Sequence, residues 1–392
     1  MLRVLMTGGG SGGHVNPAIA IADTIRLNCP DAKIAFVGTE TGKENDLVPR
    51  AGYPLYYVDS MGLQRSLTPS NIKAAFLAVT SPHSKKTLDI LDEFQPDLVV
   101  GTGGYVCWPL IRAAARRKIP TVLHESNCYA GLTVRMLQSS VSRLLLNFEE
   151  TVQQLHAKKK CCVVGNPLLG GFGALPQNVA REKLGLAAGE QMVLFCAGSL
   201  GSQTVNHAVL EFLRCTAAKR PQVRFVLATG KRHYKNCLAM AQEIGLDELP
   251  NVQLKDYIYD MPVQMSAADV VVSRAGAMTL SELAMMGKAC VIIPSPYVAD
   301  DHQLKNAQAL ANRGAALLVE EKDFAKNSLQ YAILSLLDDR DLSDNLRREI
   351  GNFATPDANR VIYDILMSLV KEDRERKANA GRGRRKNGDR HA

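Results

Sequence analysis

The sequence predicts a doubly wound α/β fold, built twice along one chain. Three observations carry this expectation. Short runs of aliphatic and β-branched residues without polar alternation recur from end to end, as in parallel strands buried on both faces. Helix-length segments separate them, since parallel neighbours need long crossovers. Each half opens with its own strand and glycine turn, "MTGGGSGGH" from Met6 and "AGSLGS" from Ala197.

In the first half the expected strands are "RVLM", "KIAFVG", "PDLVVGTG", "IPTVLHE", "RLLLNF" and "CCVVGNP". In the second half they are "QMVLFCAG", "VRFVLATG", "VQLKDY", "ADVVVS", "ACVIIPS" and "AALLVE". The Gly/Pro-rich stretch 165–176 lies between the two sets and marks the boundary, giving domains over 1–163 and 164–355. At 392 residues the chain exceeds what one core usually supports, which fits two domains. Ligands of such sheets bind beyond the carboxyl ends of the strands, so two domains face to face would hold a nucleotide between them.

Composition narrows the function classes. Nine cysteines, scattered and never spaced C-x-x-C, argue against a disulfide framework or zinc site and suit a reducing, cytosolic setting. No apolar run approaches the roughly 20 residues of a membrane span, and no secretory leader is evident, so membrane contact is expected to be peripheral. The net charge is +8, of which the segment from Lys371 holds +5. The remainder is no basic stripe for nucleic acid. That segment reads as a solvated, disordered end, with a tether to anionic lipid as the alternative. Residues 66–91 mix Ile72, Phe76, Leu77 and Val79 with Lys73, Lys85 and Lys86. Packing on their own sheet is the expectation and a membrane-facing patch the alternative.

Four segments carry candidate chemistry. In the first turn Gly8, Gly10 and Gly13 satisfy G-x-G-x-x-G, a phosphate-binding corner at a helix start. Taken alone this would suit a nicotinamide enzyme, with Glu40 on the ribose. His14, directly after the third glycine, suits an enzyme that deprotonates a hydroxyl beside a nucleotide; helix capping or acceptor binding is its other reading. In "TVLHESNCYAG" the residues His124, Glu125 and Asn127 follow a strand, where they face the ligand edge or cap the next helix. In "SRAGAMTLSELAMMG" a helix starting near Ala277 would aim N–H groups at a diphosphate, and Glu282 could accept both hydroxyls of a ribose. The fourth, "PSPYVADDHQLKNA", brings Asp300, Asp301, His302 and Gln303 to the same edge, and a loop is favoured over a metal site there.

With these segments in order, the chain closely resembles the MurG family of bacterial peptidoglycan N-acetylglucosaminyltransferases. "GGGSGGH", "LVPRAGY", "GTGGYV", "LHESN", "VVGNP", "AGSLGS", "SRAGAMTLSE" and "HQLKNA" stand in the expected sequence between about residues 2 and 370. The resemblance implies the GT-B architecture, two facing Rossmann-like doubly wound parallel-sheet domains. It also implies a helix over 356–372 that crosses back to the N-terminal domain, leaving 373–392 as the disordered tail. The implied reaction moves N-acetylglucosamine from UDP-N-acetylglucosamine to the muramoyl 4-hydroxyl of lipid I, giving lipid II and UDP with inversion. No cofactor or metal is required by it. A GT-B transferase acting on a diacylglycerol acceptor and a catalytically silent cell-wall partner are the competing readings.

Carried over by motif, His14 is the candidate base, with Glu125 second. The implied donor contacts are Ser11, Gly12, Gly13, Asn127 and Ser199, with Ile258 reading uracil through its backbone. Ala277, Met278, Thr279, Leu280, Ser281 and Glu282 resemble the diphosphate and ribose segment, and Gln303 a contact to a sugar hydroxyl. Peripheral attachment to the cytoplasmic leaflet and association with other cell-wall synthesis proteins are implied as well. Three departures from the family pattern stand out. Leu168 and Leu169 stand where an arginine usually follows "GNP", with Arg274 the nearest substitute by motif, and Ser126 and Ala197 replace a glutamine and a glycine.

Overall fold

The computed structural model describes residues 1–60, 80–198 and 200–388, with residues 299 and 380–388 by backbone alone. The chain divides into two compact units, Met1–Leu169 together with the chain from Asp357 onward, and Gly170–Pro356. The break falls inside the Gly/Pro-rich stretch. In the first unit, β1 (Arg3–Thr7), β2 (Lys33–Gly38), β3 (Leu55–Tyr57), β4 (Leu98–Gly101), β5 (Thr121–Glu125), β6 (Arg143–Leu146) and β7 (Cys161–Val163) form one sheet. All its pairings are parallel, in the order β3-β2-β1-β4-β5-β6-β7. The second unit holds β8 (Gln191–Cys196), β9 (Val223–Ala228), β10 (Val252–Lys255), β11 (Val270–Arg274), β12 (Ala289–Ile293) and β13 (Leu317–Leu318), parallel in the order β10-β9-β8-β11-β12-β13.

Both orders reverse direction once, between β1 and β4 and between β8 and β11. Those two switch points open crevices at the strands' carboxyl ends, where ligands of such sheets bind. The lack of polar alternation has its expected cause. Along β1, Val4 and Met6 enter one core with helix Gly12–Asn28, while Leu5 enters the other with Leu110 and Ile111 of helix Cys107–Arg116. Only β3 escaped the sequence reading, because "PLYYVDS" gives a three-residue edge strand, half covered.

The last helix runs Ala358–Gly388, longer than expected. Ile362, Leu366, Leu369 and Val370 give it an apolar stripe that joins the core beneath Val15, Ile19 and Ile21. The segment from 373 is therefore helical through Gly388 rather than an unordered tail. Its continuation is supported by helix-favouring Glu, Arg, Lys and Ala, by Asp373 paired with Arg376 and with Lys377 at 2.7 Å, and by Arg374 on Asp97 at 3.4 Å. Of residues 66–91, positions 66–79 lie outside the described residues. The part that follows, helix Lys85–Phe94, buries Thr87, Ile90, Leu91 and Phe94 against its own sheet.

His124, at the end of β5, is fully buried and donates from Nε2 to the Gly165 carbonyl at 2.9 Å. Burial pushes its imidazole down to about 4, so it is neutral and structural, holding the "GNP" turn. A folded value below the ordinary 6.5 means that the unfolded chain takes up the proton first. Stability of this unit is expected to fall as pH drops from about 6.5 toward 4, by up to about 3 kcal/mol. Denaturant unfolding at stepped pH should show this slope, and a His124→Gln variant should lack it.

Candidate active site

At the first switch point the glycine turn after β1 meets the loop after β4. Gly104, at φ +83, leaves no room for a side chain: a Cβ there would stand 2.4 Å from the Gly9 carbonyl oxygen. Gly103, at φ +110, is filled by His14, whose Cδ2 would lie 2.7 Å from a Cβ. Thr102 completes the contact, its hydroxyl donating to the His14 carbonyl at 2.6 Å. Within this frame His14 Nδ1 stands 3.1 Å from the Gly9 carbonyl and 3.3 Å from Ser11 Oγ. A carbonyl can only accept, so a hydrogen sits on Nδ1, and in the neutral form the lone pair is on Nε2. That is the tautomer of a base.

Beneath the turn lies a carboxylate that the sequence reading passed over. Glu44, 1 % exposed, accepts from the Gly10 amide at 3.0 Å, the Thr39 amide at 3.0 Å and the Thr39 hydroxyl at 2.9 Å. It occupies the space a Cβ on Gly9 would need, at 2.6 Å. A negative charge bound to the turn's own N–H is a poor floor for a dinucleotide pyrophosphate. Glu40, the ribose candidate of that reading, is exposed and 3.7 Å from Lys86.

Glu125 has work of another kind. One oxygen accepts from the Asn127 amide and side chain, both at 3.0 Å, and the other from the Gly131 amide at 2.8 Å. Gly131 is the N-cap of helix Leu132–Leu137, which has no side-chain cap hydrogen bond; Glu125 reaches the Gly131 amide and fastens its loop, and Asn127 donates to Glu125 rather than to the helix.

In the second unit, helix Ala277–Met286 starts where expected, with Gly276 as its cap. Ala277, Met278 and Thr279 form its first turn and Leu280 packs inward, while Ser281 and Glu282 follow on the half-covered side. Burial pushes the Glu282 carboxyl up to about 7, although part of the residue's surface is exposed. Its charge also reaches Cys196 at the end of β8, whose thiol burial drives up to about 12. Glu282 thus faces the second switch point. Ile258 is buried between Tyr257 and Tyr259 in the loop after β10. Gln303 accepts from the Ser295 amide at 2.9 Å, which leaves its NH2 to donate. Ser199 lies outside the described residues. Asp300 and Asp301 take left-handed backbone at φ 57 and 49 in a short turn, as the loop reading had it. Among the described residues no group of three His, Cys, Asp or Glu is placed to hold a metal ion.

Arg274, the nearest substitute by motif for the missing arginine, is engaged within its own unit. Its guanidinium is ion-paired with Glu321, donates to Ser202 Oγ at 2.7 Å and reaches the Ile293 and Pro294 carbonyls at 3.3 and 3.1 Å. With the side chain only 11 % exposed, it ties the ends of β11 and β12 to the cap of helix Gln203–Thr216.

Comparison with known proteins bears on both units. Residues 4–145 match the N-terminal domain of glycosyltransferase family 28, and residues 192–359 match its C-terminal domain. The chain belongs to glycosyltransferase family 28. Among its relatives is a protein of Caldanaerobacter subterraneus subsp. tengcongensis named UDP-N-acetylglucosamine--N-acetylmuramyl-(pentapeptide) pyrophosphoryl-undecaprenol N-acetylglucosamine transferase. It is 36 % identical over 94 % of this chain and 100 % of its own length. A Clostridioides difficile protein of the same name is 36 % identical over 94 % of this chain and 89 % of its own. The crystal structure of Acinetobacter baumannii MurG superposes with a TM-score of 0.74 at 26 % identity, covering 94 % of this chain and all of that one. Staphylococcus aureus MnaA with UDP, at 13 % identity and a TM-score of 0.66 over 92 % of this chain and 95 % of its own, shares the fold.

Membership in family 28 makes the chain a glycosyltransferase of the MurG type with two Rossmann-like GT-B domains, and it disposes of the nicotinamide reading. In "GTGGYV" the two adjacent glycines make room for His14. Gly103→Ala is expected to displace the imidazole and cost about 1–3 kcal/mol, from contact and from backbone strain. Gly12→Ala, with nothing within 4 Å and no left-handed backbone, should leave stability unchanged or slightly raised. Denaturant unfolding of both variants, with the His14 ring signals followed by NMR, checks the contrast.

Proposed function

We infer that this protein transfers N-acetylglucosamine from UDP-N-acetylglucosamine to the muramoyl 4-hydroxyl of lipid I, forming lipid II. The relatives' names and the family support that activity. The observation that carries the mechanism is the His14 ring, anchored through Nδ1 on the Gly9 carbonyl. His14 Nε2 takes the proton of the acceptor hydroxyl as its oxygen attacks the anomeric carbon. UDP leaves from the opposite face, so an α-linked donor gives a β-linked product. Charge gathers on the departing diphosphate, and the dipole of helix Ala277–Met286 favours it there.

The donor lies along the carboxyl edge of the second sheet, with Ile258 at the uracil, Glu282 on the ribose, the first turn from Ala277 at the diphosphate and Gln303 on the sugar. Glu282 supports this because no hydrogen bond already fixes its oxygens to the described residues. Ser11, Gly12, Gly13, Asn127 and Ser199 complete the contacts. The acceptor's lipid chain puts the reaction at the cytoplasmic leaflet of the cell membrane. There the protein sits peripherally beside other cell-wall synthesis proteins, an attachment favoured by the basic segment from Lys371. No helix among the described residues is long and apolar enough to cross a membrane.

UDP release that depends on a soluble lipid I analogue is the expected activity, and release with a diacylglycerol acceptor instead would reverse the assignment. His14→Ala should lower kcat by about 10²- to 10⁴-fold with UDP affinity unchanged. Undiminished transfer would remove His14 from the base role. Glu282 gives a pH signature. Ribose hydroxyls donate to the ionised carboxylate, so donor affinity should weaken as pH falls through about 7, by up to about tenfold per unit. Calorimetric titration of UDP between pH 8 and 6 reads this, and Glu282→Gln should bind more weakly at pH 8 with the slope gone.

A further inference from the structure

The strand order fixes the course of any nucleotide held by this edge. Ile258 follows β10 and Ala277 follows β11, and β9 and β8 lie between them. A ligand reaching from one to the other crosses the ends of both middle strands, about 14 Å at the usual strand spacing. The loops after those two strands touch backbone to backbone. A Cβ on Gly201 would stand 1.9 Å from the Thr229 carbonyl oxygen, and one on Gly230 would stand 2.5 Å from that of Leu200. From this junction the next residue, Lys231, emerges exposed. Its Nζ stands 5.6 Å from the ring centroid of Tyr257 and 5.4 Å from that of Tyr259, the pair that flanks Ile258. The two rings are 4.8 Å apart and inclined at 61°, so the ammonium rests on an aromatic seat.

Charge bookkeeping at this edge calls for a cation. Arg274 is neutralised by Glu321, and Glu282 adds a carboxylate. A nucleoside diphosphate brings two or more negative charges to the same place. We propose that Lys231 is the cation for the nucleotide's diphosphate, held by Tyr257 and Tyr259 on the path between Ile258 and Ala277. This rests on reading the second unit as the nucleotide site. Lys231 also gives the site specificity: a diphosphate is rewarded over the bare nucleoside.

The test is titration calorimetry of the full chain with UDP and with uridine, for the native protein, Lys231→Met and Lys231→Arg. Methionine keeps the apolar stem on the rings and removes the charge. The expected result is UDP affinity lowered about tenfold or more in Lys231→Met, largely restored in Lys231→Arg, with uridine affinity the same in all three. Unchanged UDP affinity in Lys231→Met overturns the proposal. Equal weakening of UDP and uridine also overturns it, because the lysine would then only be supporting the tyrosines. Failure of the native chain to bind UDP would overturn the nucleotide site itself, while binding that is lost in Glu282→Ala but not in Lys231→Met would overturn the role of Lys231 alone.

Discussion

The approach of two backbones at the first switch point governs the rest of the site. Gly9 and Gly104 lie against one another with no space for a Cβ, and that contact sets where the Gly9 carbonyl points. The carbonyl in turn fixes the His14 tautomer. Any side chain at position 104 would part the two loops and release the imidazole from its anchor. The second unit has the same strand order but meets its switch point differently. There the tight backbone contact is between the loops after β8 and β9, one strand away, and Arg274 spans the switch itself by reaching Ser202. One edge makes room for a ring. The other is clamped by a cation paired with a carboxylate.

Three buried or half-buried carboxylates divide along the same line. Glu44 accepts three hydrogen bonds, two from Thr39 nearby and one from Gly10 across the turn, and Glu125 accepts three from its own loop; each holds a turn in shape. The oxygens of both are already taken up by these contacts. Glu282 has no such bonds from the described residues, and desolvation alone moves its carboxyl up to about 7. A desolvated acid without donors is a standing cost to the donor-free protein. Hydroxyls that arrive as a pair relieve it, since they favour the ionised form. The ribose contact proposed for Glu282 would supply those donors.

Much of this was legible in the sequence. The strands read as parallel because both faces are buried, and both glycine turns and the helix start at Ala277 fall where expected. What was not legible depends on contacts far apart in the chain. Glu44 looks like an ordinary acid in "GKENDL", and only the fold brings it under Gly10, 34 residues away. Arg274 reads as the nearest substitute for the missing arginine, and only the fold brings Glu321, 47 residues on, against it. β3 was too short to register as a run. The last helix was cut at its final apolar residue, because a charged stretch gives no periodic signal even when its i,i+3 and i,i+4 pairs sustain a helix.

Leu168 shows why a departure from the family pattern can be tolerated. Its backbone amide and carbonyl are both bound at 3.0 Å by the side-chain amide of Asn359, which also reaches Thr24 at 3.2 Å. The position is thus held through its backbone by the start of the last helix, and Leu169 packs on the core that this helix completes. That structural demand at 168 is met by the backbone whatever the side chain, whereas at 169, the other position where the arginine is expected, the side chain itself joins the core. Loss of the charge is a separate matter from stability, and bears on the ligand contact that the resemblance implies. Any compensation must come from a residue whose side chain the fold has not already committed to holding its own loops together.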